Sequence, residues 1–255
     1  NISMLPEVGP GDKTMEYVEA VIEERVPVVE TSGRSPEEFV PLLKKAGIKL
    51  LHKVPAVRYA KKAERIGADA VIIVGFECGG HPGMDDVTTM ILTPKTVDSV
   101  SIPVIAGGGI ADARGFVAAL AMGAEGVVMG TRFVATTESL AHPKFKEWIV
   151  KAQETDPVII QRSIRNAARV MKNAAAAKVL EMEARGASLE ELLTVISGRV
   201  GRRALFEGDL EGGTFAIGQC VGLINEIKPV KEVIEEIVHG AQEILSRLQK
   251  ILAQS

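Results

Sequence analysis

The segment Glu77-Cys78-Gly79-Gly80-His81-Pro82-Gly83 sets a histidine directly behind two glycines. A histidine titrates near neutral pH, so His81 can take a proton or stabilise a developing anion. Gly79 and Gly80 would let backbone approach a flat ligand. The ordinary alternative is a loop histidine with no chemical role. Cys78 could act as a nucleophile only with His81 as its base, and buried cysteines are usually inert. Further on, Gly107, Gly108 and Gly109 follow a β-branched run, and Gly130 and Thr131 follow a second apolar run. Backbone N–H groups at the carboxyl ends of two successive parallel strands suit a phosphate. The alternative is a pair of tight turns. Lys53 ends the apolar run 48–54. It could meet an anionic cofactor, form a Schiff base or simply reach solvent. Arg162, Arg165, Arg169 and Lys172 fall at helical spacing. They read as a solvated basic face, with docking of an acidic partner or a nucleotide as the alternative. His52 lies inside an apolar strand, His142 precedes Pro143 in a turn and His239 sits on a C-terminal helix, so none competes with His81. No metal site is read.

These residues need a scaffold, and three segments share one grammar. Around Gly47, Gly67 and Gly123, a helix end is followed by glycine and then by an apolar strand. Glycine suits the left-handed residue that closes a helix. The strands are near-continuous apolar runs, which indicates burial on both faces and a parallel sheet. Strands are expected near 26–31, 48–54, 70–76, 102–106 and 126–130, with 1–5 as the tail of another. Alternation of this kind predicts an α/β fold, a TIM (β/α)8 barrel. Six strands fall short of eight, so the barrel lacks its first two βα units or the sheet is open. Residues 144–197 show helical spacing with no strand runs, and 198–213 read as a glycine- and charge-rich loop. Residues 229–253 predict an amphipathic helix with Val230, Val233, Ile234, Ile237, Ile244, Leu245 and Leu248 on its apolar side. The expected division is a barrel portion over 1–143, a mainly helical substrate or lid region over 144–228, and a C-terminal helix over 229–255 packing on the barrel.

The net charge of −3 and an aromatic content of 4% argue against nucleic acid as the main partner. Two cysteines cannot build a disulfide framework, which fits a reducing cytoplasm. There is no membrane-spanning run and no signal segment. The chain opens on Asn1 rather than Met, which reads as processing, trimming or a missing N-terminal portion.

The motifs GFECGGHPG (75–83), IPVIAGGGIADARG (102–115) and MGTRFVATTES (129–139) together resemble the nitronate monooxygenase family, formerly called 2-nitropropane dioxygenase. HKVPAVRYAKKAERIGADAV (52–71) and GGTFAIGQCVGLI (212–224) extend the resemblance over nearly the whole chain. The family is FMN-dependent and barrel-shaped. It includes nitronate monooxygenases, NAD(P)H:quinone reductases and flavin-dependent enoyl-ACP reductases, and the form of residues 80–86 is most similar to the quinone-reductase branch. The resemblance implies that Gly107, Gly108, Gly109, Gly130 and Thr131 hold the FMN phosphate. It implies that Lys53, Gly79, Gly80 and Asn1 line the flavin, and that His81 is the family's proposed base. Family members begin with two further strands carrying flavin and substrate loops, and neither is present here. That departure favours missing units over an open sheet.

The sequence therefore reads first as a flavin oxidoreductase that oxidises alkyl nitronates with O2. Reduction of a quinone or an enoyl thioester with NADH or NADPH is the alternative. A phosphate-binding lyase using Lys53 is a more distant one, and a non-enzymatic barrel fragment needing a partner chain is a third. The expected partner is a small molecule, in the cytoplasm, with a homodimer left open.

Overall fold

The structure is a computed structural model and describes residues 1–4 and 13–254. Its first half alternates strand and helix: β1 (Ile2–Met4), α1 (Thr14–Glu23), β2 (Val28–Gly33), α2 (Val40–Lys45), β3 (Lys49–Val54), α3 (Val57–Ile66), β4 (Ala70–Val74), α4 (Thr89–Val97), β5 (Val104–Gly107), α5 (Ala113–Ala121), β6 (Gly126–Val128) and the short α6 (Thr131–Val134). The six strands form one parallel sheet in sequence order, as in a TIM barrel. β1 and β6 are its edges among the described residues. The strand expected over 1–5 is β1, and Leu5 lies outside the described residues.

The recurring glycine does the work expected of it. Gly47, Gly67 and Gly123 all adopt positive φ, at 72°, 96° and 90°. Each reverses the chain from a helix into the next strand without the clash a Cβ would cause. Every residue of β4 is buried, as befits a strand covered on both faces. Leu43 of α2 and Ala60 and Ala63 of α3 share a core with Leu50, Val71 and Ile73 of the sheet. Burying a side chain of the Leu or Ile class contributes about 1.5–3 kcal/mol.

The second half differs from the sequence reading. After α7 (Pro143–Lys151) come two strands, β7 (Pro157–Ile160) and β8 (Ala168–Met171), paired antiparallel. Helices α8 (Ala174–Ala184), α9 (Leu189–Ile196) and α10 (Gly198–Glu207) come next. The helical spacing read over 144–197 therefore conceals a hairpin. Each of its strands has four residues, too short for a period-2 pattern to stand out, and β8 is buried throughout. The basic quartet is not one helical face. Arg162 and Arg165 are exposed in the hairpin turn, Lys172 is exposed just beyond β8, and Arg169 is buried in β8. The segment expected as a loop over 198–213 is helical to Glu207. α10 closes at Gly208, φ 72°, and the loop is confined to the residues beyond it.

The C-terminal helix is α11 (Val230–Leu252), packed on α5. Val233 and Ile237 are buried, but Ile234, Leu245 and Leu248 are exposed, so the apolar residues do not all share one buried side. No helix among the described residues is long and apolar enough to cross a membrane.

Candidate active site

A cavity of about 1040 Å³ opens at the carboxyl ends of the sheet strands. Of the residues singled out from sequence, Asn1, Lys53, Gly79, His81, Gly108, Gly109, Gly130 and Thr131 line it, and Gly80 and Gly107 do not. A Cβ on Gly107 would lie 2.6 Å from Val128 Cγ1 and 3.0 Å from Val74 Cγ1. Gly107 is therefore small because the neighbouring strands close over it. Gly108 and Gly109 turn the chain at φ 97° and 75°, conformations that suit glycine.

Gly130 is different. Its φ of −103° and ψ of −65° are open to any residue, and a Cβ there would meet no protein atom within 4 Å. Neither backbone nor neighbours require glycine. A side chain at 130 would instead occupy space at the cavity wall, beside the uncapped first turn of α6. Thr131 follows it, but its hydroxyl is engaged from behind, accepting the Gly218 N–H at 2.9 Å.

The glycines before His81 also answer to protein. A Cβ on Gly79 would lie 2.7 Å from Gly218 N, so Gly79 admits the 216–218 segment. Gly80 exchanges both backbone hydrogen bonds with Arg169, at 3.0 and 2.6 Å. The buried Arg169 guanidinium donates to the Phe76 carbonyl at 2.9 Å and lies 4.5 Å from the Phe76 ring centroid. Burial lowers its pKa. β8 thus clamps the loop that carries His81, a role invisible to a reading that treats Arg169 as solvated.

His81 faces the cavity, and desolvation by its walls lowers its pKa. Its Nε2 lies 3.2 Å from Asn166 Nδ2, which also donates to Gln161 Oε1 at 3.0 Å. An amide nitrogen only donates. His81 Nε2 must then accept, and the neutral ring carries its proton on Nδ1. Asn166 and Gln161 belong to the hairpin turn, and the sequence reading does not anticipate them. The turn is anchored by Arg162, whose Nη2 donates to both Asp86 carboxylate oxygens at 2.8 and 2.9 Å, and by Glu183, which accepts from the backbone of Gln161 and Ser163.

Across the cavity, Lys53 Nζ pairs with Glu30 at 2.5 Å, and Glu30 also accepts from Asn1 Nδ2 at 2.6 Å. Glu30 likewise escapes the sequence, because a single acid in an apolar strand announces no partner. His52 is buried with Nδ1 2.8 Å from the Thr31 hydroxyl, and burial pushes its pKa down to about 4. Cys78 lines the cavity but is buried, and burial pushes its thiol up to about 12, which disfavours the nucleophilic thiolate.

The sequence profile of the nitronate monooxygenase family matches residues 7–240. A (3aS,4S,5R,7aS)-5-hydroxy-7a-methyl-1-oxo-octahydro-1H-indene-4-carboxyl-CoA dehydrogenase of Rhodococcus jostii is 31% identical over 92% of this chain and 76% of its own length. A probable nitronate monooxygenase of Staphylococcus aureus is 39% identical over 62% of this chain, which spans 47% of that protein. Among solved structures, FabK from Thermotoga maritima superposes with a TM-score of 0.91 at 45% identity, covering 98% of this chain and 78% of its own. A nitroalkane oxidase from Streptomyces ansochromogenes shares the fold at 24% identity, with a TM-score of 0.79. The strand-end cavity and a profile match running almost from end to end agree, and the chain belongs to the nitronate monooxygenase family of oxidoreductases.

Proposed function

We propose that the chain works with FMN to reduce the carbon–carbon double bond of an enoyl thioester, with NADH or NADPH as electron donor. The observation that carries this reading is the 3.2 Å contact between Asn166 Nδ2 and His81 Nε2. With Nε2 accepting from Asn166, the ring proton would stand on Nδ1, making the ring a donor rather than a base. Reduction at the β-carbon pushes negative charge onto the thioester oxygen, and a placed donor stabilises that charge where it develops. Two relatives support the choice. FabK, of the enoyl-ACP reductase branch, is 45% identical, and the Rhodococcus relative is named for a CoA thioester.

Gly130 is the test of fit for FMN: a glycine that nothing in the protein requires leaves room for a phosphate against the first turn of α6. Gly108, Gly109 and the backbone of Thr131 would complete that cradle, while Asn1, Lys53 and Gly79 would lie along the flavin. When bound, FMN supplies a two-electron carrier that takes a hydride from a nicotinamide and passes it on. The Glu30 carboxylate keeps the Lys53 ammonium paired and aimed at the cavity. That pairing also disfavours a Schiff-base lyase, which needs a neutral amine.

Nitronate oxidation is the second reading, favoured by the family profile and the S. aureus relative. Anaerobic stopped-flow mixing of FMN-loaded protein with NADH, NADPH or propyl-2-nitronate separates the two. Rapid flavin bleaching by a nicotinamide, then reoxidation by crotonyl-CoA, is the expected result. Bleaching by nitronate alone would replace this reading with the second.

A further inference from the structure

Four basic residues line the cavity: Arg34, Lys53, Lys62 and Arg165. Three already have a carboxylate. Arg34 pairs with Glu38, Lys53 with Glu30 at 2.5 Å, and Lys62 with Glu37 at 3.2 Å. Arg165 alone has no carboxylate in ion-pair range among the described residues. The nearby acid on the facing loop, Asp86, is taken by both contacts of Arg162.

The backbone of Arg165 is fixed although its guanidinium has no carboxylate partner. That backbone is left-handed, φ 56°, and its N–H donates to the Arg162 carbonyl at 3.0 Å. The first residue of the turn, Gln161, is tied to Glu183, and the residue after Arg165 is tied to His81. The turn thus presents one unneutralised, fork-shaped cation at the cavity rim, next in sequence to the residue that orients His81. A guanidinium fork matches two oxygens of a phosphate, and it does so with far less competition from water than an ammonium. The cavity, about 1040 Å³, lies at the upper end of the usual range for a single ligand, so a second reactant has room beside a cofactor.

We propose that Arg165 is a specificity-determining residue that docks an organic phosphate of the second reactant. That chemistry is shared by nicotinamide dinucleotides and by thioesters of phosphorylated pantetheine. The proposal rests on the reading that a second reactant enters beside His81, but not on which reaction ensues.

Its test is therefore equilibrium binding, by calorimetry on the FMN-loaded protein, with four probes. Crotonyl-CoA and the phosphate-free crotonyl-N-acetylcysteamine form one arm; NADPH and the phosphate-free dihydronicotinamide riboside form the other. Arg165→Gln should weaken a phosphate-bearing probe by about tenfold or more, and its phosphate-free counterpart by less than about twofold. The arm that responds identifies the source of the phosphate. Lys172→Gln, which removes an exposed charge near the same hairpin, should change neither. Equal weakening of both members of a pair would overturn the proposal, since Arg165 would then act only through the turn. Unchanged binding in both arms would overturn it as well. A retained binding contrast without any reductase activity would leave Arg165 in place and defeat the enoyl-thioester reading instead.

Discussion

Asn166 Nδ2 sits 3.2 Å from His81 Nε2, a contact that favours a ring proton on Nδ1. Replacing the donor-only amide by a carboxylate reverses the demand. In Asn166→Asp the ring should favour a proton on Nε2, and its pKa should rise from the lowered position that burial gives it. A histidine-selective NMR titration reads both changes. A tautomer and pKa identical to those of the parent protein would remove Asn166 from the account.

Two glycines at the same cavity end should behave oppositely. Gly130→Ala creates no clash, so the protein without flavin should keep its stability or gain about 0.4–1 kcal/mol. Its FMN affinity should fall by about tenfold or more, because the new methyl occupies the proposed phosphate space. Gly107→Ala presses a Cβ to within 2.6 Å of Val128 Cγ1 and should cost about 1–3 kcal/mol of stability before any ligand is added. Thermal melts and flavin-fluorescence titrations of the two variants make the comparison. A Gly130→Ala variant that binds FMN as tightly as its parent would move the phosphate elsewhere.

His52 should make stability fall on acidification. Its pKa is about 4 when folded, against about 6.5 when unfolded. Between those values the unfolded chain holds the extra proton, so stability is full above pH 6.5 and declines toward pH 4. The full loss is about 3 kcal/mol. Urea unfolding across this range should show the slope, and His52→Asn, which retains a partner for the Thr31 hydroxyl, should lose most of it. Equal slopes in both proteins would assign the acid sensitivity to other groups.

Cys78 should resist alkylation. A thiol held near 12 presents about a thousandth of the thiolate it would at its ordinary value. Iodoacetamide at pH 8 should label it no faster than the protein unfolds, and denaturant should expose it. Prompt labelling of the native protein would contradict the burial that raises its pKa.

The parts of the fold that are legible in the chain are those whose physics is local. The turn at Gly67 arises from a helix end and a strand start within a few residues, and the structure repeats it at Gly47 and Gly123. His81 and Gly130 can be picked out because strand ends carry ligands in this architecture. Their partners cannot. Asn166 reaches His81 across 85 positions, and Arg169 reaches Phe76 across 93. Nothing in a stretch such as 162–172 distinguishes a solvated arginine from one that a distant loop will cover. β7 and β8 escape for a related reason. Four residues are too few to show a period, and their burial comes from layers supplied elsewhere in the sequence. Gly79 and Gly80 suggest a ligand's approach, whereas it is segments 216–218 and β8 that approach them.

The clamp of β8 on Gly80 also orders events in time. The six parallel strands are neighbours along the chain as well as in space, so each can dock on its predecessor as it leaves the ribosome. The His81 loop has no such option. Its backbone partner is Arg169, and the segment that fills the space over Gly79 arrives later still, at Gly218. A nascent chain therefore carries all six of these strands well before it carries the segments that hold the His81 loop. The surroundings of His81 are set only after the sheet that carries it has been made.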